Sequence, residues 1–114
     1  MPPNILFVLT DNQRHDLIGC AGNPLIHTPH LDTLAHRGIR FTHAFATSPI
    51  SAASRASILT GLYERRHQFT FDAPPLRAAL ALKSYPALLR AAGYHTALIG
   101  KLGIESRGVG DTIS

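Results

Sequence analysis

Ser51 and Arg55 stand four residues apart in the segment Ser51-Ala52-Ala53-Ser54-Arg55. On a helix that spacing places both on one face. Ser51 would lie at the helix N-terminus, where backbone N–H groups and the helix dipole attract an anion, so the pair could grip a tetrahedral oxyanion. The competing reading is an N-cap serine beside a solvated arginine. Asp11-Asn12 offers neighbouring hard oxygen donors suited to Ca²⁺ or Mg²⁺, or else an Asx turn that ends a strand. Lys101 is a flexible cation able to reach a sulfate or phosphate oxygen, or else a solvated surface lysine.

These residues need elements to hold them. The continuous apolar run over 5–10 reads as a strand buried on both faces of a parallel sheet. It delivers Asp11 to the C-terminal edge of that sheet, where open α/β sheets place their ligands. Residues 19–29 read as loop, after which Thr28-Pro29 caps and opens a short helix through Leu31, Leu34 and Ala35, stopped by Gly38. Residues 39–46 alternate Ile39, Phe41 and Phe45 with polar residues, the pattern of a strand. A second helix is expected from Ser51 to Thr60, with a capping serine at its start and Gly61 at its end. Residues 64–75 read as loop. A third helix opens at Ser84-Tyr85-Pro86 and closes at Gly93, and residues 94–99 read as a second buried strand leading to Gly100-Lys101. The tail from Gly103 onward has three glycines and no periodicity, and is expected to be poorly ordered. The order of elements fits an α/β layer architecture with more sheet than this chain alone supplies.

The bulk composition decides less. A chain of 114 residues with 45% hydrophobic content can bury a core. Eleven Lys+Arg against seven Asp+Glu give +4, without a basic run, which suits a small anion as well as a polyanion. Only 7% of residues are aromatic and no basic stripe appears, which counts against nucleic-acid binding. The single cysteine, Cys20, excludes an intrachain disulfide and reads as a small buried thiol in a tight turn. The first residues carry neither a basic region nor a cleavage site, and the apolar run is too short to span a bilayer; the expected location is the cytoplasm. Cys20, His27, His30 and His36 invite a zinc site, yet no Cys-x-x-Cys pair accompanies them and their spacing matches no closed four-ligand set.

Taken in order, Asp11-Asn12, Thr28-Pro29-His30-Leu31-Asp32-Thr33-Leu34-Ala35, Gly38-Ile39-Arg40-Phe41-Thr42-His43-Ala44, Ser51-Ala52-Ala53-Ser54-Arg55 with Ile58-Leu59-Thr60-Gly61, and Gly93-Tyr94-His95-Thr96 with Ile99-Gly100-Lys101 resemble the sulfatase family block by block. The resemblance implies an alkaline-phosphatase-like α/β fold, a mixed or parallel sheet flanked by helices. Residues 1–101 would be the N-terminal part of that catalytic domain, and 102–114 a divergent tail.

By match to the family signature, Ser51 is the residue oxidised by a maturation enzyme to formylglycine (3-oxoalanine). Arg55 supports the aldehyde hydrate, Lys101 contacts sulfate, and Asp11, Asn12 and Ser51 contribute to a Ca²⁺ or Mg²⁺ site. One hydroxyl of the hydrate, activated by the cation, attacks sulfur; the other later loses its proton as sulfate leaves and the aldehyde re-forms. Serine rather than cysteine at 51 resembles the bacterial, oxygen-independent type of maturation. The implied substrates are sulfate esters, either small molecules or sulfated glycans, with no nucleic acid or membrane involved. The family usually continues Gly-Lys-Trp-His-Leu-Gly, whereas Gly100-Lys101 is followed here by Leu102-Gly103-Ile104, so Gly103 replaces the histidine. Sulfatases are several times longer, and the further metal ligands lie downstream, so a truncated chain with little or no activity of its own is expected. The alternatives are a phosphate or phosphonate ester hydrolase of the same superfamily, using an unmodified hydroxyl, and a non-enzymatic basic binding domain resting on Arg65-Arg66 and Lys83.

Overall fold

Pro29 has a fixed φ and no N–H to leave unsatisfied, and it starts helix α1 (Pro29–Arg37). Asp32 lies in the first turn and His36 and Arg37 in the last, matching both ends of the helix dipole. This helix belongs to the first of two compact units, Met1–Ala44 and Phe45–Ser114. The computed structural model describes residues 2–70 and 75–104.

In the first unit, Thr28 stands at the N-cap without capping through its side chain. Its Oγ1 instead accepts from the Gly19 N–H (2.8 Å) and donates to the Asp32 carboxylate (3.0 Å). The same carboxylate oxygen accepts from the Cys20 N–H at 2.6 Å. These bonds hold the 3₁₀ turn Gly19–Ala21, within a stretch expected as loop, against α1. A β-carbon on Gly19 would meet Asp32 Oδ2 at 2.5 Å, so a side chain there would displace the carboxylate that holds the turn. Cys20, expected to be buried, is half-buried. No described residue of this unit is fully buried.

The second unit is built on α2 (Ser51–Thr60), which ends where Gly61, in the left-handed region, returns its N–H to the Ser57 carbonyl. Ile50, not a serine, occupies the N-cap, and no side chain caps the helix. Ala53, Ala56 and Leu59 recur every third residue and form its buried face. Two small residues there let neighbours approach closely: α3 (Glu64–His67), α4 (Ala78–Ala81) and α5 (Tyr85–Ala91) all pack on α2. The core joins Ala56 and Leu59 to Phe69, Leu76, Ala81 and Ile104. Burying each of the larger side chains contributes roughly 1.5–3 kcal/mol.

Helices α1, α2 and α5 stand where proline, alanine and glycine place them. α3 and α4 fall in segments where no helix is expected; each is one short turn held by packing on α2. The expected strands over 5–10, 39–46 and 94–99 do not form. Among the described residues extended pairing is confined to a single bridge residue, Leu76. A strand is a property of pairing, and a parallel one requires neighbours in the sheet and helices over both faces. The apolar side chains of these segments are exposed here, Leu6 by 88% and Ile99 by 97%. Ten of the twelve residues of the expected tail from Gly103, namely 105–114, lie outside the described residues. No helix among the described residues is long and apolar enough to cross a membrane.

Candidate active site

Ser51 is the first residue of α2, and Arg55 stands one turn on. The guanidinium Nε of Arg55 lies 3.4 Å from Ser51 Oγ, a long hydrogen bond, while Nη1 donates to the Lys101 carbonyl at 2.8 Å. One side chain thus touches the serine on its own helix and anchors the main chain 46 residues later. Gly103 adopts φ +65°, and a β-carbon there would lie 3.2 Å from Arg55 Cδ and 3.4 Å from Lys101 Cε. The stems of Arg55 and Lys101 therefore both lie beside Gly103.

The electrostatics favour an anion. α2 has no acidic residue in its first turn. The Arg55 guanidinium and the positive end of the helix dipole both lie beside the exposed Ser51 hydroxyl, an arrangement that suits an anion.

Asp11 and Asn12 belong to the first unit and are exposed. Asn12 adopts φ 56°, a left-handed conformation that asparagine tolerates better than most residues. Among the described residues, no group of three or more His, Cys, Asp or Glu is placed to hold a metal ion. The Asp11 carboxylate and the Asn12 carbonyl are hard oxygens, a donor type that suits Ca²⁺ or Mg²⁺. Their number falls short of the roughly six to eight oxygens that Ca²⁺ takes.

One residue of consequence escapes the sequence reading. His67 closes α3 and is 2% exposed. Its Nδ1 accepts from the Phe69 N–H at 3.0 Å, which leaves the proton of the neutral ring on Nε2, 3.0 Å from Ser57 Oγ. Burial pushes its pKa below the ordinary histidine value, against the opposing pull of the Glu64 charge and the Ala53 carbonyl. The available signal was a histidine followed two residues on by the aromatic Phe69, within a stretch otherwise polar enough to read as loop.

Comparison with known proteins extends over nearly the whole chain. The Sulfatase family model matches residues 3–107. An N-acetylglucosamine-6-O-sulfatase of Bacteroides thetaiotaomicron is 41% identical over 99 residues, covering 87% of this chain and 17% of the relative. A steryl-sulfatase of Mus musculus is 38% identical over 126 residues (96% and 19%), and an arylsulfatase of Clostridium perfringens is 38% identical over 104 (90% and 21%). The chain thus spans about a fifth of the length of these relatives. No solved structure matches it. With its family signature opening α2 and its arginine reaching the lysine of the last motif, this chain belongs to the sulfatase family.

Proposed function

We propose that this chain supplies the nucleophile side of a sulfate-ester hydrolase, with Ser51 as the residue matured to formylglycine. The observation that supports this most directly is the Arg55 side chain, which contacts Ser51 Oγ and carries the Lys101 carbonyl in a chain of this family. Arg55 orients the nucleophile position and fixes the backbone from which Lys101 extends. Lys101 then supplies a second positive charge for a sulfate oxygen, offsetting the charge that develops as the ester bond breaks. Formylglycine, when hydrated, supplies a second hydroxyl, so that sulfate can be expelled instead of remaining as a serine ester. Asp11 and Asn12, with Ser51, are the residues that would hold Ca²⁺ or Mg²⁺, which when bound would make the hydroxyl more acidic.

In this reading the remaining cation ligands come from sequence beyond these 114 residues. The segments 5–10 and 94–99 become strands of an alkaline-phosphatase-like sheet in the complete domain. The substrate is a sulfate ester, and the partner required beforehand is the maturation enzyme. The relatives' names span a steroid and two aminosugar esters, so the class of chemistry is carried further than the alcohol.

The test is the mass of the peptide containing Ser51 after expression with a maturation enzyme of the serine type. Formylglycine, lighter than serine by two hydrogens, is the expected product. Serine left intact would instead favour a phosphate or phosphonate ester hydrolase using the unmodified hydroxyl.

A further inference from the structure

Ser57 follows Arg55 by two residues and so lies about 200° around α2 from it. The helix is therefore gripped from opposite sides. One face carries Ser51 and Arg55 toward Lys101, and the other is met by the buried ring of His67 through Ser57. Both ring nitrogens are committed, Nε2 to the helix and Nδ1 to the backbone N–H of Phe69, itself a core residue.

We propose that His67 is a positioning residue for the nucleophile helix: its neutral, Nε2-protonated ring latches α2 through Ser57, and a proton added at Nδ1 opens the latch. This rests on the reading of Ser51 and Arg55 given above. Protonation turns Nδ1 from acceptor to donor, so two hydrogens would face each other across the 3.0 Å to Phe69 N. The ring or the chain at Phe69 must then move, and α2 loses the support of its Ser57 face.

The surroundings set the direction. From α2 the ring meets the Ser57 hydroxyl and the Ala53 carbonyl, and from its own helix it feels Glu64. Arg65 and Arg66 on α3 are exposed, as are Arg77, whose guanidinium donates to the Arg66 carbonyl, Lys83 after α4, and Tyr85 and Arg90 on α5. Because burial lowers the folded value, the neutral ring is the form that stabilises the fold. Its contribution is complete above the 6.5 of an unperturbed histidine and is lost as pH falls through the lowered folded value.

The experiment is an NMR titration of the 114-residue chain from pH 8 to 5, following the histidine ring nitrogens and hydrogen exchange of the α2 amides. His67 should show the Nε2–H tautomer at neutral pH and titrate below the ordinary histidine value. Protection of the α2 amides should fall several-fold in step with that titration. In H67Q, which keeps a donor toward Ser57 but has neither the Nδ1 acceptor nor a titratable ring, α2 protection should lose this pH dependence.

Inorganic sulfate serves as a second probe, read at the Ser51 amide and Arg55 Nε. Its affinity should drop several-fold as His67 titrates, although added positive charge alone would raise it. A His67 that titrates at or above the ordinary histidine value, α2 protection unchanged through its titration, or sulfate affinity that rises with protonation would each overturn the proposal. If sulfate moves neither resonance at any pH, the oxyanion reading of Ser51 and Arg55 fails, while the tautomer and the α2 amides still decide the latch.

Discussion

In Phe45–Ser114, Leu59, Phe69, Leu76 and Ile104 close around the alanine face of α2, whereas Met1–Ala44 buries no described residue and holds its one helix by hydrogen bonds from Thr28 and Asp32. Charge divides in the same way. The first unit has three Lys+Arg and three Asp+Glu, while the second has eight and four and carries the whole +4. The packed, basic unit bears Ser51, proposed as the nucleophile position, and the hydrogen-bonded, neutral one bears Asp11 and Asn12, the oxygen donors proposed for the cation. Packing suits a group that must be aimed.

The comparison breaks most severely at Leu76, which is 2% exposed. Leu76→Ala should cost about 2–5 kcal/mol by urea denaturation followed on second-unit signals, through lost burial and the cavity left behind. The counterpart in the first unit, Leu34→Ala, removes a side chain that is 68% exposed and should leave the midpoint nearly unmoved. A middle-sized effect tests the hydrogen-bonded unit. Asp32→Ala leaves the Cys20 N–H and the Thr28 hydroxyl without their acceptor, at about 1–3 kcal/mol. The loss should appear as faster amide exchange at Gly19–Ala21, with α2 unaffected. The smallest effect is at the exposed pair Arg14–Asp16, joined at 2.6 Å. Arg14 holds the Asp16 carboxyl down at about 2, chiefly through the hydrogen bond. Arg14→Ala should return it toward the usual carboxylate range in a carboxyl NMR titration, with no measurable change in the denaturation midpoint.

Helices α1 and α5 were legible because proline and glycine punctuate them, and α2 because a run of small helix formers ends at Gly61. Their ends are set locally, so sequence suffices. α3 and α4 were not legible: four residues nucleate no helix alone, and only packing on α2 maintains them. The strands failed for the complementary reason, since apolar runs specify a tendency to pair but not the partner. At the site, Ser51 and Arg55 were readable from helical spacing. Lys101 needed its family motif, because its link to them is a contact between positions 46 apart. His67 was missed because its meaning lies in burial and in two partners, Ser57 and Phe69, that no spacing rule connects.

Gly103 has an evolutionary corollary. A return to the family's histidine at this position would meet two obstacles at once, a left-handed backbone and the aliphatic stem of Arg55 at 3.2 Å. The mutant chain would have to straighten residues 101–103 or displace the arginine that holds the Lys101 carbonyl, and either change disturbs the lysine that the histidine would work beside. A side chain at position 103 is therefore strained by the backbone and, in addition, presses on the stem that carries the Arg55 guanidinium to Lys101.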